Sequence, residues 1–114
     1  MAEQLINKKY KMLYPSEKKL IKFGFRKAKN ADGDMWRYTF PVYKYNRKIT
    51  IVEGVISVIL PSGRVILDVY SNGSIYTPFY NNEFGNYEGI MNIINSNIIR
   101  ELNKFNIKEK RNKR

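Results

Sequence analysis

Residues 36–60, WRYTFPVYKYNRKITIVEGVISVIL, decide how this chain folds. Trp36, Tyr38 and Phe40 alternate with Arg37 and Thr39, the period-two pattern of a strand with one buried face. Pro41 has no N–H to give to a ladder, which places this strand at a sheet edge there. Tyr45-Asn46-Arg47 then reverses the chain. From Lys48 to Leu60 the apolar residues alternate again but change parity. Ile49 and Ile51 fall on one side, Ile56, Val58 and Leu60 on the other, and a bulge at Gly54 would reconcile them.

Towards the C-terminus, Pro61-Ser62-Gly63 predicts a tight turn into a third strand that faces inward at Val65, Leu67 and Val69. Asn72-Gly73 is a strong hairpin signal and hands over to a short fourth strand from Ile75 to Thr77. Asn86 caps a long helix with Tyr87, Ile90, Met91, Ile94, Ile98, Leu102 and Phe105 at helical spacing. Towards the N-terminus, Asn30 to Asp34 form a turn. Pro15-Ser16-Glu17 reads as a helix start, with Ser16 as N-cap, and Gly24 fits the position just past its end. Ile21, Phe23 and Phe25 also alternate with Lys22, Gly24 and Arg26, so residues 16–25 admit a strand reading, although the caps favour the helix. The expected fold is α+β. It has an N-terminal helix, a three- or four-stranded antiparallel sheet, and a long C-terminal helix packed on one sheet face, in the order α-β-β-β(-β)-α.

Charge divides the chain differently. Residues 1–29 hold nine Lys or Arg against Glu3 and Glu17, and residues 108–114 hold five against Glu109, whereas residues 30–107 carry seven of each sign. Nearly all of the net +11 therefore sits at the two ends. The reading is a basic arm over residues 1–14, one domain over 15–107 and a basic tail over 108–114. Such arms project a field about a Debye length, roughly 10 Å at 0.1 M salt, and suit a polyanionic partner. Lys8, Lys9, Lys11, Lys18, Lys19, Lys22, Arg26 and Lys27 at one end, and Lys108, Lys110, Arg111, Lys113 and Arg114 at the other, are the candidate phosphate contacts.

Composition excludes several classes. With 43% hydrophobic residues the chain carries a core rather than being wholly disordered. It has no Cys and no His, so disulfides, thiolate zinc sites and the commonest general base are absent. Asp32-Gly33-Asp34 suits a turn better than a cation site, and Asp68 is expected to pair with a cation such as Arg37 or Lys48. With no assembled acid–base set, the expectation is a non-enzymatic protein without cofactor or metal. The apolar run Val55 to Leu60 is far too short for a membrane span. No signal-peptide pattern opens the chain, so a cytoplasmic location is expected. Ile, Lys, Asn and Tyr supply 50 of 114 residues. All four have A/T-rich codons, which suggests a low-GC bacterium, its phage or another mobile element.

The aromatic run from Tyr76 to Tyr87 has two readings. Its rings complete the core between sheet and helix, or they form a platform for bases or a protein partner. The crossing from strand to helix favours the core, with Tyr80 and Phe84 expected at the surface.

The order helix, strands, helix resembles the double-stranded RNA-binding domain and the small RNA-cleaving toxins that share its topology. Phe23-Gly24-Phe25, the Gly33 turn and Trp36-Arg37-Tyr38 carry the likeness, which covers residues 16–105 loosely. The toxins' histidine is absent, and the last helix opens Asn86-Tyr87-Glu88-Gly89 rather than with lysines. The resemblance therefore implies topology and transfers no site residues. The expected function is a small nucleic-acid-binding protein, DNA or RNA, that contacts phosphates through its basic ends. The alternative is a phage or mobile-element protein that binds and blocks a host protein or nucleoprotein, an anti-defence type of inhibitor.

Overall fold

The computed structural model describes residues 9–28, 34–44, 50–80 and 84–109, with the side chains at 50 and 84–88 excepted. In chain order the elements are β1 (Tyr10–Met12), α1 (Glu17–Phe23), β2 (Arg26–Lys27), β3 (Asp34–Lys44) and β4 (Thr50–Leu60). They continue with β5 (Arg64–Ser71), β6 (Ser74–Ile75), α2 (Thr77–Tyr80), α3 (Phe84–Lys104) and β7 (Ile107–Glu109). The fold is α+β, with every strand pairing antiparallel in one sheet of order β2-β3-β4-β5-β1-β7, and β6 attached to β5.

Seven strands replace the expected three or four. The additional ones come largely from segments read as charged arms: Tyr10–Met12 lies inside the sheet, between β5 and β7. Alternation explains it. Tyr10 and Met12 are buried while Lys11 is exposed, so the segment is a half-buried strand whose outward residue is cationic. A fold in which an interior strand precedes the first helix is not the α-β-β-β-α topology of the RNA-binding domains.

Gly63 makes room for this insertion. A Cβ there would stand 2.7 Å from the Met12 carbonyl and the residue has φ +85°, a conformation costly for any other side chain. The Gly63 carbonyl in turn accepts from the Met12 N–H at 2.8 Å. At the other end of the chain, Asn106 adopts φ 61° just past α3 and turns it directly into β7.

One face of the sheet holds the core. Trp36, Phe40 and Val42 from β3, Val52, Ile56 and Val58 from β4, and Val65, Leu67 and Val69 from β5 join Met91, Ile94, Ile98 and Leu102 of α3. Leu20 of α1 and Phe79 of α2 belong to the same cluster, so all three helices lie on this side. Phe105, fully buried, locks α1 onto it, with ring centroids 5.1 Å from Phe23, 5.0 Å from Phe25 and 4.8 Å from Tyr38. The α1 caps follow from the sequence: the Ser16 side chain accepts from the Lys19 N–H, and Gly24 adopts the left-handed conformation.

Gly54 marks no bulge. It pairs squarely with Phe40, whose ring passes over it and would lie 2.7 Å from any Cβ. The register shifts are instead in β3, around Pro41 to Lys44. Ser74–Ile75 is the short strand expected after Asn72-Gly73, and a helical turn, α2, then occupies residues 77–80. The expected turn at Tyr45 to Arg47 lies outside the described residues.

Candidate nucleic-acid interface

Residues directly opposite one another in an antiparallel pair share a sheet face. Lys11 of β1 stands opposite Arg64 of β5 on one side and Lys108 of β7 on the other. The three cations therefore stand abreast on neighbouring strands, within ~10 Å at a strand spacing of about 4.8 Å. All three are exposed, on the face opposite the core. On the same face, two and three strands beyond Arg64, Arg37 of β3 pairs with Arg26 of β2 in the row one pleat further on, and both are exposed. Ser57 and Ile66 continue that row, and Met35 and Ile59 continue the first. The Arg37 guanidinium reaches back to the Met35 sulfur at 3.8 Å, leaning towards the first row.

Neither row contains a carboxylate. The acidic residues of this face, Glu53 and Asp68, lie further along β4 and β5. Among the described residues the ion pairs are Lys27 with Asp34 at 3.4 Å and Lys104 with Glu101 at 4.0 Å, and neither touches the five cations. Like charges directly opposite one another destabilise a sheet. Among the described residues the arrangement thus holds positive charge with no carboxylate paired to it, on the face away from the helices.

The predicted cations divide into groups. Lys11 and Lys108 are neighbours on the open face, Arg26 stands on the same face four strands from Lys11, and exposed Lys9 immediately precedes β1. Lys18 and Lys22 are exposed on α1, in the helix layer. Lys19 folds back instead, its Nζ donating to the carbonyls of Tyr14 at 3.0 Å and Leu13 at 3.4 Å. Lys27 is held by Asp34. Lys8, Lys110, Arg111, Lys113 and Arg114 lie outside the described residues. Arg37 and Arg64 complete the surface although their segment is electrically neutral; only strand register reveals them.

Of the two predicted aromatics, Tyr80 is half-buried rather than at the surface. Its hydroxyl accepts from the Val69 N–H at 2.9 Å and donates to Asp68 Oδ1 at 3.1 Å. It serves an edge of β5 that β1 and β6 leave between them, and it takes the place expected for a cation beside Asp68. Burial pushes this hydroxyl up to about 12; the Val69 amide opposes the shift and the Asp68 carboxylate adds to it. The Phe84 side chain lies outside the described residues.

A cleft of about 460 Å³ opens between the second half of β3 and α3. Tyr38 donates across it to Glu101 Oε1 at 3.0 Å, and Asn97 Nδ2 donates to the Val42 carbonyl at 2.7 Å. Burial, then the hydrogen bond to Glu101, raises the Tyr38 pKa. Pro41 and Asn97 both protect this sheet edge, one by lacking an N–H and the other by occupying a carbonyl. No described helix is long and apolar enough to cross a membrane.

No protein-family model matches this chain, and no curated protein matches it. Among solved structures, the fold is similar to that of a DUF1831 family protein from Lactobacillus plantarum, with a TM-score of 0.54 and 12% identity. The likeness spans 91% of this chain and 89% of that one, and at this identity it concerns the fold alone.

Proposed function

We propose that this protein binds nucleic acid through the open face of its sheet, with phosphates lying over Arg64, Lys11 and Lys108 and the chain running on across β4 towards Arg37 and Arg26 near the far edge. The observation that carries the reading is the row of three cations abreast, with no carboxylate in the row among the described residues. A bound phosphate backbone relieves their mutual repulsion and releases its own condensed counterions. Of the basic ends, Tyr10–Met12 and Ile107–Glu109 enter the reading as strands that meet side by side. No catalytic group is invoked, and the cationic side chains of this face suit contact with phosphates rather than direct readout of base edges.

The test is binding of labelled DNA and RNA as a function of salt. Five phosphate contacts give a log–log slope of about −3.5 for single strands and about −4.5 for duplex. Lys11→Glu reverses the middle charge of the row. It is expected to weaken binding and reduce the slope by at least about one. Lys44→Glu makes the same change far along β3 and is expected to leave the slope unaltered. A slope near zero for the wild-type chain, or equal effects of the two variants, would reject the proposal.

A further inference from the structure

Resting on that reading, we infer that the nucleic acid is single-stranded and that one of its bases stacks on Tyr14. This residue lies in the short connection between β1 and α1 and is 83% exposed. Its φ of 51° puts a bulky side chain in the left-handed region, where glycine or asparagine is the low-energy choice. The connection holds this conformation firmly. Lys19 Nζ donates to the Tyr14 carbonyl, and the Leu13 N–H donates to the Asn106 carbonyl at 3.1 Å. An aromatic residue is thus held at a backbone cost, yet its exposure shows that the ring fills no part of the core.

Its surroundings are cationic. Lys19 Nζ lies 5.9 Å from the ring centroid. Three residues earlier in the chain Lys11 stands in the cationic row, and after the turn Lys18 and Lys22 are exposed on α1. Tyr14 sits at the corner joining the two groups, where a strand leaving the open sheet face would turn towards α1. An exposed ring between phosphate-binding cations is the combination that single-strand binders use, because every unpaired base has a stacking face and duplex bases do not offer theirs.

The experiment uses the full chain with labelled oligothymidylate and a labelled mixed-sequence duplex. Tyr14→Gly removes the ring and suits the left-handed backbone, so the variant keeps its fold, which a denaturation curve verifies. It is expected to weaken oligothymidylate binding roughly 5- to 150-fold, to leave duplex binding unchanged, and to keep the salt slope. Tyr14→Trp is expected to restore the affinity and to lose indole fluorescence when oligothymidylate is added, a change that buried Trp36 alone does not give. If Tyr14→Gly binds oligothymidylate as the wild type does, or weakens both ligands equally, the inference falls while salt-steep binding still supports the interface. If neither ligand shows salt-steep binding to the wild type, interface and inference fall together.

Discussion

The two faces of β3, β4 and β5 are built on opposite rules from the same strands. Towards the helices, Trp36, Val58 and Val65 stand in one cross-strand row and Phe40, Gly54 and Val69 in another, all buried. Towards the open side, Arg37, Ser57 and Ile66 share a row, and the next runs through Met35 and Ile59 to Arg64, Lys11 and Lys108. The first face gains stability from each added contact. The second places like charges together and gives stability away. A surface that fold stability does not explain is the natural place to look for function, and substitutions on the two faces should have opposite consequences.

Phe105→Ala should show the largest effect. The ring is fully buried and touches Phe23, Phe25 and Tyr38, so it joins α1, α3 and the sheet. Truncation is expected to cost about 3–5 kcal/mol in a urea titration. A loss below about 1 kcal/mol would mean that the helix layer is not keyed through this residue. Gly54→Ala comes next, at about 1–3 kcal/mol, because the new methyl would collide with the Phe40 ring. Phe40→Leu in the same chain should recover part of that loss, whereas additive losses would show that the ring is not the obstacle.

Tyr80→Phe tests an edge rather than a face. It deprives the Val69 N–H and the Asp68 carboxylate of a shared partner, with an expected cost of about 1–2 kcal/mol. The pH dependence gives an independent check. The hydroxyl titrates near its ordinary value of 10.0 when unfolded and at about 12 when folded. The stability contributed by the neutral group is therefore complete below pH 10 and is lost as pH rises towards 12. Wild-type stability should fall more steeply through that window than that of Tyr80→Phe, and parallel curves would exclude the burial argument.

The long elements were legible because their periodicity extends over many residues. Trp36, Tyr38 and Phe40 face the core as their alternation requires, and Met91, Ile94, Ile98 and Leu102 line the inner side of α3. The short strands were not. Tyr10–Met12 and Ile107–Glu109 each offer barely one alternation, and their pairing joins residues about a hundred positions apart in sequence. Lysines flanking Tyr10 read as a solvated arm unless the partner strands are known. The same gap hid two of the five cations of the candidate interface. Lys11 and Lys108 stood out by charge, but Arg37 and Arg64 belong to a neutral segment and join them only through register. Gly54 shows a second limit, since a glycine beneath a ring and a glycine at a bulge look alike in sequence.

The smallest effect bears most directly on the open face. Lys11→Glu places a carboxylate between Arg64 and Lys108, turning two like-charge neighbours into two opposite-charge neighbours. Cross-strand pairs of this kind differ by about 0.2–1 kcal/mol, so the variant should be more stable than the wild type by roughly that amount. The gain should be clearest at low salt and shrink as the Debye length falls to ~3 Å at 1 M. The same substitution is the one expected to weaken nucleic-acid binding. Stability and affinity would then move in opposite directions at one residue, as they must if the repulsion in this row is kept for a ligand. If Lys11→Glu destabilises the fold, the lysine is needed by the sheet itself, and the row no longer argues for a polyanion.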